Sequence, residues 1–179
     1  MNTKMTKLAL ALGALVMTGS VWAATTYDTS TMAVSAAIVA ECAVANGGGI
    51  SFGNLVMLNT ASATQTTVDT TAASTFPAIC TNGANSPTFT YASANTTGTD
   101  FLLKGSTTAT EFITYTPYQT NSSSGTAIVG ATAVAHPDFI ANGTTNTLAL
   151  SARILAADKA TKSAQAYSDT ITITAGWTP

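Results

Sequence analysis

The sequence predicts an all-β chain folded as a β-sandwich. Short runs alternate apolar or β-branched residues with polar ones, clusters of Gly, Asn, Ser and Pro separate the runs, and no long stretch carries a helical apolar stripe. The 179 residues suit one domain. Only 8 % are charged and the net charge is -2, against about a quarter charged in an average chain. Six Lys and Arg in all argue against a nucleic-acid partner, because neutralising several phosphates takes a basic patch. A hydrophobic content of 46 % argues for a folded chain. Much of it is Ala, so the core is thin.

Residues 1–23 read as a secretory signal. Lys4 and Lys7 form the basic start, Leu8 to Met17 the apolar stretch, and Val21-Trp22-Ala23 the small-residue cleavage site. The mature chain then begins at Ala24 with four basic and eight acidic residues. No later apolar segment approaches the roughly 20 residues that cross a bilayer, so an exported, soluble product is expected.

Residues 24–40 form a second unit of the pattern. A polar tail, Ala24 to Ser30, leads into a strand-like alternation with Met32, Val34, Ala36, Ile38 and Ala40 on one side and Thr31, Ser35 and Glu41 on the other. Such a run is either the first strand of its own sandwich or a strand that leaves its domain to complete another molecule's sheet. The sandwich itself is assigned to residues 41–179.

Cys42 and Cys80 are an even pair in an exported chain, which reads as a disulfide in preference to two free buried thiols. Closing a loop of about 38 residues contributes roughly 4 kcal/mol in the chain-entropy model. Two cysteines and one distant His cannot supply four ligands, so neither a metal nor another cofactor is expected.

Further along, turns are expected at Asn46 to Gly49, Asn82-Gly83, Asn121 to Gly125 and Asn142-Gly143. Strands are expected at Thr88 to Ala92, Phe112 to Tyr118 and Thr147 to Leu155, the last with Leu148, Leu150 and Ala152 on one face and Ala149, Ser151 and Arg153 on the other. Ala156 to Gln165 has residues that suit a short helix but no apolar stripe, and is read as a loop. The clearest strand is the last, Tyr167 to Trp177: Tyr167, Ile171, Ile173, Ala175 and Trp177 occupy odd positions, and Ser168, Thr170, Thr172, Thr174 and Thr178 even ones.

Catalytic patterns are missing, and no enzyme is expected. His136 stands alone in His136-Pro137-Asp138 and reads as a surface turn held by Pro137. No Gly-x-Ser-x-Gly elbow accompanies it. The carboxylates are scattered without a close pair suited to glycoside hydrolysis. Gly47 to Gly49 has no following Lys-Ser/Thr, so it reads as a turn and not as a phosphate cradle.

Several segments together resemble the spore coat protein U-like domain of pilin subunits in archaic chaperone-usher pili. They are Cys42 after the alternating segment, Ile50-Ser51-Phe52-Gly53, Ile79-Cys80-Thr81-Asn82-Gly83, the aromatic strand with Ile113, Tyr115 and Tyr118, and Tyr167 to Thr174. The resemblance implies an incomplete immunoglobulin-like β-sandwich lacking its seventh strand, completed by a donor strand from a neighbouring subunit. On that reading Met32, Val34, Ala36 and Ile38 are donated, and Ile171, Ile173, Ala175 and Trp177 are candidates for the wall of the accepting groove. Also implied are identical subunits joined head-to-tail in a filament, a periplasmic chaperone, an outer-membrane usher, a tip adhesin, and export through the periplasm to a surface pilus serving adhesion and biofilm formation. A major shaft subunit is the leading expectation. The alternatives are a minor adaptor subunit, a surface coat protein, or a monomeric exported carbohydrate-binding module in which Met32 to Ile38 pairs within its own domain.

Overall fold

The computed structural model describes residues 30–59, 64–65, 68–96, 98–123 and 125–178. The expected signal segment 1–23 and the start of the polar tail lie outside them. The chain divides into two units, Met1–Ala36 and Ala37–Pro179. In the first, the described residues form no strand; Met32 and Val34 are 87 % and 89 % exposed. The second unit holds the sandwich. Its leading residues 37–41 also form no strand, and Ile38 is 92 % exposed.

The elements in chain order are β1 (Cys42–Val44), β2 (Leu58–Asn59), β3 (Thr64–Gln65), β4 (Thr70–Cys80), β5 (Asn85–Ser93), β6 (Phe101–Gly105), β7 (Phe112–Tyr118), β8 (Ala133–Val134), β9 (Asn146–Ile154), α1 (Ala156–Lys159), β10 (Tyr167–Ser168) and β11 (Ile171–Thr178). One sheet has the order β1-β4-β9-β7-β6-β10, a second β11-β5-β8, and β2 pairs with β3. Every pairing is antiparallel. Between the two larger sheets lies a core of Phe76, Phe89, Tyr91, Phe101, Ile113, Tyr115, Leu148, Leu150 and Ile154 with smaller neighbours. Phe76 meets Phe89 and Tyr91 edge-on, at centroid distances of 5.9 and 6.3 Å.

The longest strand, β4, was not expected. Its inward positions, Thr70, Ala72, Ser74, Phe76, Ala78 and Cys80, alternate in burial but include one large side chain, so hydrophobicity hardly marks the period. Pro77 within it removes no bond from the β4–β9 ladder. In antiparallel pairs a residue's N and O point the same way, and the Pro77 carbonyl points to β1, accepting from Ala45 N–H at 3.0 Å. Cys42 and Cys80 are direct partners in the β1–β4 ladder and form the expected disulfide, with Cα atoms 4.1 Å apart. Gly83, at φ +88°, makes the turn out of β4 that only glycine adopts freely.

Three expectations need correction. The last strand is two: β10 pairs with β6 in the large sheet and β11 with β5 in the small one, so the chain changes sheets at Asp169-Thr170. The stretch read as a loop begins with one helical turn, α1, because Asp69 accepts the Ala156 N–H at 3.0 Å from across the fold, a cap that local sequence does not reveal. His136 is buried at 4 % exposure, not on a surface turn. Its ring lies edge-on to Phe76 and Phe89, Nδ1 accepts from the Asp138 N–H at 3.2 Å, and Nε2 therefore carries the proton that meets Ala149 O at 3.0 Å. In addition β9 is buried on both faces, since Tyr118 lies opposite Ser151 under the Arg153 guanidinium, 5.7 Å from its ring.

Replacing His136 with Ala removes the ring packing and leaves a buried carbonyl without its donor. A loss of about 2–4 kcal/mol is expected, measured as a lower midpoint of urea unfolding.

Candidate functional site

β11 turns Ile171, Ile173 and Ala175 toward the core. Among the described residues it pairs with β5 alone, and β1, which runs beside it, forms no ladder with its other edge. Beside that edge is a cavity of about 480 Å³. Four strands of the large sheet give large side chains to its floor: Phe76 of β4, Leu150 of β9, Tyr115 of β7 and Leu103 of β6. Ile171 and Ile173 form one wall.

The other wall is the chain after β1. Gly47 passes so close to β4 that a Cβ there would collide with Thr75 O and the Phe76 backbone, which excludes any side chain. The Gly48 N–H donates to the same carbonyl at 3.0 Å, and Ser74 Oγ donates to Gly48 O at 2.6 Å. The glycine run is thus a strip laid flat on β4. Beyond it Ile50 and Phe52 pack on the core, the Phe52 ring edge-on to Tyr115 at 6.2 Å. A second cavity of about 620 Å³ continues past them, sharing Ile50, Phe52, Leu103 and Asp169 with the first. Glu111 braces its far wall, accepting from Ser163 N–H at 2.7 Å and Gln165 Nε2 at 2.8 Å. The Ser163 N–H holds the Glu111 carboxyl below its usual range.

The expected groove residues fall in three places. Ile171 and Ile173 line the first cavity, and Ala175 packs against the core further along. Trp177 lines neither cavity; its indole N–H donates to Ala40 O at 3.0 Å. Of the residues expected to be donated, Met32, Val34 and Ile38 are almost fully exposed and Ala36 is exposed with them. The floor residues Phe76 and Leu103 had no sequence signal, since β4 and β6 were not read as strands. Asp169 had one: it is the polar interruption in the odd-numbered series of the last strand.

Asp169 pins the crossing between the sheets. Its Oδ1 accepts from the backbone N–H groups of Ala94 and Thr170 and from Asn95 Nδ2, while Oδ2 accepts the Tyr115 hydroxyl at 2.6 Å. Burial first, then the adjoining Asp169 carboxylate, pushes Tyr115 well above the ordinary tyrosine range. A raised acid contributes stability that is full below its unfolded value near 10 and is lost above it, because the unfolded chain then ionises while the folded one resists. Tyr115→Phe is therefore expected to lose about 1–3 kcal/mol at pH 7. The gap to the unaltered chain should narrow above about pH 10 in unfolding titrations run at both pH values.

A search of curated proteins gives no match. Two solved structures are similar to part of the chain. One is the CsuC-CsuE chaperone-tip adhesion subunit pre-assembly complex from archaic chaperone-usher Csu pili of Acinetobacter baumannii, at 18 % identity and TM-score 0.46, covering 77 % of this chain and 40 % of that one. The other is a chaperone-tip adhesin complex of CFA/I fimbriae biogenesis, at 13 % identity and TM-score 0.41, covering 62 % and 36 %. The chain thus spans less than half the length of either. The profile of the Spore Coat Protein U domain matches residues 28–174, most of the sequence, and the chain belongs to that family.

Proposed function

We propose that the chain is the major structural subunit of an archaic chaperone-usher pilus and polymerises by donor-strand exchange. The observation that carries this reading is a pair of complementary defects in one chain. An edge strand, β11, has one edge without a ladder beside an apolar cavity, and an alternating segment, Met32, Val34, Ala36 and Ile38, is exposed and in no strand among the described residues. Each supplies what the other lacks: β11 offers free main-chain groups, and the segment offers a strand with one apolar face.

Magnitudes favour the exchange. Burying Met32, Val34 and Ile38 at about 1.5–3 kcal/mol each yields on the order of 5–9 kcal/mol before ordering costs. Main-chain hydrogen bonds add about 1 kcal/mol apiece. Between identical copies the contact is head-to-tail and does not close, so it makes a filament. A periplasmic chaperone occupies the groove before assembly, an usher passes subunits outward, and a tip adhesin heads the fibre. The first 23 residues direct export, Ala24 opens the mature chain, and the fibre serves surface adhesion and biofilm formation.

The reading is tested by replacing Val34 or Ile38 with Asp in cells that make the fibres. A charge placed in the groove has no partner there, and polymers should be lost from electron micrographs and from gels run without heating. Normal fibres from both variants, or a purified chain that stays monomeric with residues 32–38 protected from protease, would overturn it.

A further inference from the structure

We infer that Trp177 clamps the root of the N-terminal extension and so fixes the direction in which it leaves the sandwich, making consecutive subunits stiffly coupled. The inference rests on the donor-strand reading above. Three consecutive residues are anchored where the extension meets the body. Ala40 O accepts from Trp177 Nε1 at 3.0 Å; Glu41 donates its N–H to Thr81 Oγ1 at 3.0 Å and accepts Thr81 N–H at 2.9 Å; Cys42 is bonded to Cys80. The anchors belong to both sheets, for Cys80 ends β4 and Thr81 follows it, whereas Trp177 lies near the end of β11, beside which β1 runs. Immediately before Ala40 the holding stops: Val39 is 69 % and Ile38 92 % exposed.

That boundary sets a length. If Ile38 is the last apolar residue given to the neighbour, only Val39 separates it from the clamped Ala40. Two residue steps span at most about 7 Å between the Cα atoms of Ile38 and Ala40. The accepting body must then come almost into contact with the donor's end around Trp177. A connector this short has few conformations, so the angle between bodies is set by how Ala40 is held and not by a flexible linker. Glu41 and Cys42 fix the chain to one sheet. Trp177 adds the hold from the other sheet, one residue nearer the exit, and acts as a positioning residue.

The test compares fibres of the full chain, assembled with its own export machinery, in three forms: unaltered, Trp177→Phe, and with two glycines inserted between Val39 and Ala40. Phe keeps the ring and loses the N–H donor; the insertion keeps the clamp and lengthens the connector. Both are expected to lower the fibre's persistence length in negative-stain images by roughly twofold, while the temperature at which polymers dissociate in detergent stays unchanged because the donated residues are the same. Altered fibres as stiff as the unaltered ones would overturn the inference and leave the donor-strand reading standing. Should Trp177→Phe yield no fibres, stiffness of the insertion variant decides alone. Absence of fibres from the unaltered chain would instead reject the donor-strand reading.

Discussion

Strands lie about 4.8 Å apart, so a six-stranded sheet presents an inner face roughly 24 Å wide and a three-stranded sheet roughly 10 Å. The two sheets of this sandwich differ by that much, and β8, the last strand of the smaller one, has only two residues. Part of the large sheet therefore has no sheet above it. The cavities beside β11 are where the deficit appears, with Phe76, Leu150, Tyr115 and Leu103 lining the floor of the first in a row that crosses four strands. One more strand beside β11 would cover much of that row and pair the open edge at once.

A core left open in this way needs other ties, and they gather around the opening. The disulfide and the Glu41–Thr81 pair fasten β1 to β4, and the glycine strip lies on β4 because no Cβ intervenes. Asp169 gathers four hydrogen-bond donors where the chain passes from β10 to β11. Both walls of the groove are thereby fixed by the chain's own bonds, so a strand added there, as proposed, would not have to order them, and less of its binding energy would be lost on arrival.

Three strands were legible in the sequence because their inward rows carry large side chains at period two: Phe89 and Tyr91 in β5, Ile113 and Tyr115 in β7, Leu148 and Leu150 in β9. β4 was hidden by Ala72, Ser74 and Ala78, which are small enough to be ambiguous, and by Pro77, whose harmlessness depends on which neighbour its carbonyl faces. The break after Ser168 and the turn of α1 were hidden for a different reason. Both depend on carboxylates, Asp169 and Asp69, whose partners are distant in sequence. The alternation of Met32, Val34, Ala36 and Ile38 was legible as a pattern, because alternation can be read without a partner. The groove was not, since its floor is a transverse row of four strands that only the pairing brings together.

The scarcity of charge becomes intelligible on the same terms. Of the few charged residues, several are engaged in the fold's own bonds: Asp69 caps α1 and lies 4.0 Å from Arg153, Glu111 braces the loop before β10, Asp169 pins the crossing, and Lys159 is buried with its Nζ 2.7 Å from Thr70 Oγ1. Little charge is left without a bond of this kind to spread over the surface. For a protein that must stay dispersed this is a weakness, because like charge keeps copies apart. For copies joined as proposed above, through Val39 alone, it would be the reverse. Bodies held in near contact lie within the Debye length of about 8 Å at physiological salt, where charges on facing surfaces are only partly screened. A surface of Thr, Ser and Asn meets its own copy there with hydrogen-bonding groups and without that repulsion.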